Sequence, residues 1–295
     1  MNAAILAGRA PHLAAHLADH AKRLWQQCDA RWFQILFLAS FLGLGALARD
    51  FALTPTQVVA TFAGALAMQA AWQWHLDLPG KKSWGAYLSA LISSFGICIL
   101  VRADSVWVHP LLASVAMSSK YLIRLGPAAC KSHVFNPANL AAFAAWCWLP
   151  GAWLSPGQWG SGTMAALWFL ALGGLVTKRI QRADVSLTFL ATWAFLLAAR
   201  LVVLGYAWDP GAAMWLQQIS NGAVLLFAFF MISDPMTTPQ RAGARIAYAL
   251  LVAIAAFVWQ YVLFKPHGLI VVLFVASLFV PVCNWLWPQQ RFAWK

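Results

Sequence analysis

The sequence predicts an all-α integral membrane protein of about ten transmembrane helices in two related halves, preceded by an amphipathic surface helix. Three observations predict it. The 295 residues are 62% hydrophobic and only 9% charged, where soluble domains carry about 25% charged residues. The apolar residues gather into stretches of near-membrane length. The basic residues gather on one side of the layout those stretches imply.

From the N-terminus, Pro11 to Cys28 reads as an amphipathic helix lying on the membrane surface. Leu13, Leu17, Leu24 and Trp25 share one side, and Lys22, Arg23 and Gln26 lie on another. His12, His16 and His20 recur every four residues on it. That spacing can hold a metal, but a solvated face explains it more simply. The apolar start before any positive residue, without a cleavage pattern, argues against a secretory signal. Residues 1–31 are therefore expected to form a cytoplasmic surface segment and residues 32–290 the membrane domain.

Ten candidate spans follow: Trp32–Ala48, Thr56–Gln73, Ala86–Val101, Val106–Ile123, Pro137–Trp153, Gly160–Val176, Val185–Ala207, Gly211–Ile232, Ala242–Phe264 and His267–Trp287. Pro150 and Pro156 cut the fifth short. The N-terminal segment, the even-numbered connections and the tail hold sixteen Lys and Arg; the odd connections hold four, Arg49, Arg102, Arg200 and Lys265. By the positive-inside rule this predicts a multi-pass protein of the cell inner membrane with both termini cytoplasmic. The net charge of +12 then faces anionic lipid and asks for no nucleic acid.

Punctuation marks recur along the chain. Lys81 is answered by Lys178, Pro110 by Pro210 and Pro137 by Pro235, at offsets of 97, 100 and 98 residues. A four-helix shift keeps direction, so the expected repeat is parallel.

The polar residues limit the chemistry. All eight acids are Asp, none near the middle of a span, whereas pumps usually keep an acid or His there. Arg200, the deepest charge, is expected to snorkel outward or pair with Asp209 or Asp104. The five cysteines show no metal-type spacing. No Walker loop, GxSxG or HExxH occurs, so no catalytic residue and no metal site are assigned.

Two phrases stand out at span boundaries: "HVFNPAN", His133 to Asn139, and "ISDPMTT", Ile232 to Thr238. Asn and Asp are good N-caps, and Pro suits the first helical turn. Asn136-Pro137 and Asp234-Pro235 therefore each read as a helix start at the cytoplasmic lip, and capping alone explains either one. As a pair they carry more hydrogen-bonding groups than caps need: Ser132, His133 and Asn139 at one, Ser233, Thr237 and Thr238 at the other. Helix N-termini favour anionic or carbonyl-rich ligands. A flat heterocycle with carbonyl and imide groups suits this kit.

Together "SKYLIR", "HVFNPAN", "SGTMAALWFLALGG" and "FFMISDPMTTP" resemble the NqrB/RnfD family. Its members are membrane components of the sodium-translocating NADH:quinone reductase and of the Rnf electron-transport complex. The resemblance spans about residues 80 to 290 and is nearest to the shorter relatives found beside enediyne biosynthesis genes. It implies a ten-helix bundle that holds flavins and passes electrons across the membrane. A non-covalent flavin near the inner face is implied to touch Asn136, and Asp234 matches the family's DP aspartate. A second family Asn falls on His133 here. The family's covalent FMN hangs on the Thr of an SGAT motif; here only "SGT", Ser161 to Thr163, is present, so Thr163 is a weak stand-in.

The expected function is a membrane component of a flavin-dependent electron-transport system with redox partner subunits or flavoproteins. Riboflavin or FMN would be held without a covalent bond by Asn136, His133 and Asn139 on one side and Asp234, Thr237 and Thr238 on the other. The rivals are a cofactor-free transporter or permease, or a membrane scaffold that retained the fold.

Overall fold

A computed structural model describes residues 28–48, 52–76, 81–155 and 162–294. The proposed surface helix, with its three histidines, lies outside them. Helices α1 (Ala30–Ala48), α2 (Pro55–His75), α3 (Lys81–Leu100) and α4 (Val108–Leu122) come first. Then follow α5 (Pro137–Trp148), α6 (Thr163–Arg179), α7 (Ala183–Val203), α8 (Trp208–Ile219) and α9 (Gly222–Leu226). The last are α10 (Ala242–Phe257), α11 (Gly268–Ser277) and α12 (Val280–Leu286). Wider π-helical turns continue α9 over Phe227–Met231 and α10 over Val258–Val262.

Helix thus occupies part of each apolar stretch expected from sequence. Among the described residues, three helices are long and apolar enough to cross a membrane: Ala30–Leu47, Ala183–Val203 and Ala242–Val262. Two bent pairs, α8 with α9 (43°) and α11 with α12 (40°), raise the number to five. The others are shorter or more polar. In α2, for example, the buried residues Gln57, Gln69 and Gln73 interrupt the apolar run.

Local chemistry sets the element ends. Thr54 caps α2 in a reciprocal box: its Oγ1 accepts from the Gln57 amide at 3.2 Å, and the Gln57 side chain accepts from the Thr54 amide at 2.9 Å. Asn221 breaks the α8–α9 span, its Oδ1 accepting from the Ala223 amide at 2.8 Å. Among the described residues, four short strands, which the apolar pattern does not predict, form two antiparallel pairs. β1 (Val101–Ala103) pairs with β4 (Ala152–Leu154), and β2 (Arg124–Leu125) pairs with β3 (Ser132–His133).

The most extensive helix seams among the described residues are α2 with α4 and α7 with α10. The first is a polar ladder: Thr61 Oγ1 meets His109 Nδ1 at 3.1 Å, Gln69 binds the Tyr121 hydroxyl, and Trp72 donates to Ser118 at 3.1 Å. Gly64 makes the ladder possible, because a Cβ there would lie 2.8 Å from the Pro110 Cα. The second seam is aromatic, with Trp193 edge-on to Phe257. Arg200 lies here too, 5.0 Å from the centre of the Tyr261 ring. That cation–π contact, not an aspartate, answers the expectation for Arg200.

If each bent pair counts as one segment, these seams join the second segment to the fourth and the seventh to the ninth. Each seam thus skips one intervening segment. The short helices α5 and α11 pack side by side in opposite directions, with Trp146 near the end of α5 lying 5.7 Å from His267 at the start of α11. They start at opposite ends of the bundle and meet inside it, where Phe143 stacks on Phe274 at 3.9 Å.

Candidate functional site

The two X-Pro phrases meet. Asn136 Nδ2 donates to Asp234 Oδ2 at 3.2 Å, although 98 residues separate them. Asn136 caps α5 as expected, its Oδ1 accepting from the Asn139 amide at 3.1 Å, with Pro137 in the first turn. Asp234-Pro235 is not a helix start. It opens an irregular turn after the π-helical segment, and the next helix begins only at Ala242. Asp234 Oδ1 accepts from the Met236 amide at 3.0 Å, and its carbonyl accepts from the Thr237 amide at 3.1 Å and the Thr238 hydroxyl at 3.0 Å. An Asp reaching its own backbone two residues on is turn chemistry, and here it wins over capping.

This turn is staked from behind by Arg182. The guanidinium donates to Thr238 Oγ1 (3.1 Å), Gln240 Oε1 (3.1 Å) and the Pro235 carbonyl (3.4 Å). Gln240 adds bonds to the Pro235 and Thr238 carbonyls, and its own amide donates to Asn284 Oδ1 at 2.9 Å. Burial pushes Arg182 down to about 10, still cationic at neutral pH.

Between the two phrases lies a cleft of about 70 Å³. His133, Asn136, Ser233 and Asp234 line its polar end; Ile92, Ile99 and Phe230 line its apolar walls. Gly96 lets α3 approach α5 there, since a Cβ would lie 2.6 Å from the Ala138 Cβ. Arg31 and Trp294 stand at the mouth. Arg31 pairs with Asp29 at 2.5 Å and lies 4.9 Å from the centre of the Trp294 ring. Lys120 donates to Ser89, which lines the cleft, at 2.7 Å.

Burial dominates the protonation of the site. It raises Asp234 above the usual carboxylate value, against the opposing pull of the Met236 amide, Lys120 and Arg182. It holds His133 well below its usual value, reinforced by Lys120, Arg291 and Arg124. The imidazole is therefore neutral and able to both donate and accept.

Of the expected residues, His133, Asn136 and Asp234 face the cleft together. Asn139, Thr237 and Thr238 do not line it. Asn139 bridges inward, donating to the Ile270 carbonyl on α11 at 3.3 Å, while its buried Oδ1 has no partner among the described residues. Thr237 and Thr238 are buried within the turn. The side chain of Thr163 lies outside what the structure describes; its backbone opens α6. Sequence reasoning misses Arg182, Gln240, Lys120 and Arg31. It assigns the basic residues to the lipid-facing charge bias, and nothing local distinguishes a buried arginine from a surface one.

Fold and site together define a helical membrane protein in which two loop phrases, distant in sequence, close one polar cleft. A family model described as the NQR2, RnfD, RnfE family matches residues 112–293. The chain belongs to this family. It is 28% identical over 151 residues to the D-type subunit of the ion-translocating oxidoreductase complex of Escherichia coli O1:K1 / APEC. It is 26% identical over 149 residues to the protein of the same name from strain K12 / DH10B. Each match covers 50% of this chain and 37% of the relative, so the shared stretch is little more than a third of the relative's length.

Proposed function

We propose that this protein is a membrane component of a flavin-dependent electron-transport system, with a flavin held non-covalently at the cleft between Asn136 and Asp234. One observation carries the reading: the 3.2 Å bond that joins the two phrases across one pocket. The kinship with subunits of ion-translocating oxidoreductase complexes supports an electron-carrying role beside partner subunits. The Lys/Arg distribution supports ten spans in the cell inner membrane, with the Asn136 lip and both termini on the cytoplasmic side.

The donor set fits the polar edge of a flavin. Asn136 and neutral His133 each offer a donor and an acceptor to its carbonyl and imide groups, with Ser233 beside them. The apolar walls suit a ring face. The volume fits less well: 70 Å³ takes that edge, whereas ligand pockets run to about 300–1,000 Å³. Entry of the tricyclic body therefore requires lining side chains such as Trp294 to swing aside. The bound flavin supplies the redox chemistry. The chain's own residues orient its polar edge and exclude water. Arg182 fixes the Asp234 turn so that the carboxyl and the Asn136 amide stay in register.

Visible absorbance of the protein after mild detergent extraction tests this. A flavin spectrum is expected, with the chromophore released on denaturation. Asn136→Ala should lower its content several-fold. Wild-type protein that stays colourless even after incubation with riboflavin or FMN would falsify the assignment.

A further inference from the structure

A second cavity, of about 270 Å³, lies toward the opposite end of the bundle, between the α8–α9 break, the end of α10 and the start of α11. Its polar lining includes Gln218, Asn221, Gln260 and His267. Leu100, Leu226 and Met231 form part of its wall, and the same three side chains form part of the wall of the first cleft. The first cleft follows α3 from Ser89 to Leu100, a depth of about 16 Å at 1.5 Å per residue. One layer of three apolar side chains is thus common to a cleft leading in from the Asn136 lip and a cavity leading in from the His267 end.

The backbone is arranged to match. The first turn of α5 lines one cavity and the first turn of α11 lines the other. Asn139 on α5 donates to Ile270 on α11 between them. Short helices entering from opposite ends flank central sites in membrane transport proteins. Met231 closes the π-helical turn Phe227–Met231. Such turns mark functional positions in helices, and methionine is the most adaptable apolar side chain.

We propose that the two cavities form a conduit through the bundle for a small uncharged solute rich in amide or hydroxyl groups, closed at rest by Leu100, Leu226 and Met231. The class follows from the walls. Amides and hydroxyls dominate the polar lining. The Asp234 carboxyl is engaged by Asn136 and the Met236 amide, and Arg31 by Asp29. Both flanking helices present their positive ends, which repels cations. An ion would also shed its hydration against three apolar side chains, whereas a neutral solute gives up only hydrogen bonds. A flavin in the first cleft would plug this conduit, so solute passage is a property of the flavin-free protein.

Solute flux into proteoliposomes tests it, read by light scattering after a jump in glycerol or formamide. Met231→Ala and Leu226→Ala should each admit solute several-fold faster than wild type. Leu197→Ala, a buried leucine outside both walls, should match wild type. If Met231→Ala and Leu226→Ala are no faster than Leu197→Ala, the conduit is wrong. A sodium or potassium flux rising in step with glycerol overturns the uncharged class. Should the septum variants misfold, thiol labelling decides. In a background without Cys28, Cys147 and Cys283, Ser93→Cys should react with an impermeant maleimide only from the Asn136 face and Gln260→Cys only from the other. Reaction of both from one face, or of neither, overturns the proposal. Flavin content is a separate measurement, so either reading can fail alone.

Discussion

The Asn136 lip and the Asp234 turn look alike in sequence and are built differently. Asn136 is held by its own helix: its side-chain oxygen caps α5, and its amide nitrogen reaches across. Asp234 has no helix to cap. Its turn keeps its shape because Arg182, more than fifty residues away, and Gln240, at the far end of the turn itself, supply the hydrogen bonds that a helix would have supplied. One lip is locally determined and the other depends on tertiary contacts, so the two should respond differently to mutation and to pH.

The largest difference should come from Arg182→Ala. It leaves the Pro235 carbonyl, Thr238 and Gln240 short of a charged donor inside the fold. Hydrogen bonds to charged groups contribute about 1.5–3 kcal/mol each, so a loss of about 3 kcal/mol is expected, read as a lowered midpoint in thermal unfolding in detergent. Arg182→Lys should recover only part of it, since a point charge cannot reproduce the fork. A variant as stable as wild type would mean the turn holds itself.

Asn136→Ala should cost less, about 1–2 kcal/mol, from one lost cap and one lost hydrogen bond. Asn136→Asp keeps the cap but sets a second carboxylate against Asp234. Its stability should fall relative to wild type as pH rises and both groups ionise, measurable by repeating the melt across pH.

Smaller still are the pH slopes of the two lips, which run in opposite directions. His133 is held below its usual value of 6.5. Its neutral form therefore contributes stability above that pH, and the contribution is lost as pH falls below 6.5. His133→Gln should remove that acid-side loss. Asp234 is held above its usual 3.8, so the folded state favours the protonated carboxyl. The stability it contributes is complete below 3.8 and is lost as pH rises through the folded value. Asp234→Asn should flatten that segment of the curve. Melts of both variants that track wild type at every pH would erase the distinction between the lips.

Much of this is legible in the chain, and the failures have a common cause. The helical segments follow from runs of apolar residues, and the α5 cap follows from Asn136-Pro137, because both are decided by neighbours in sequence. The meeting of the two phrases follows from their likeness and position. The Asp234 turn is not legible, because Asp-Pro suits a cap and an Asp turn equally, and Arg182 decides between them from more than fifty residues away. Asn139, Thr237 and Thr238 join the site by proximity in sequence, yet a helix or a turn points successive side chains in different directions. The polar seam between α2 and α4 escapes because it resides in which helices touch, and the sequence of one helix does not name its partner.

Trp294, resting against Arg31 at the cleft mouth, has a practical consequence. A tag or dye joined after Lys295 would be tethered one residue from a side chain that lines the cleft. An affinity handle placed there would compete with anything entering, while a small environment-sensitive dye at that position would report, by its change in brightness, each time the doorway is crossed.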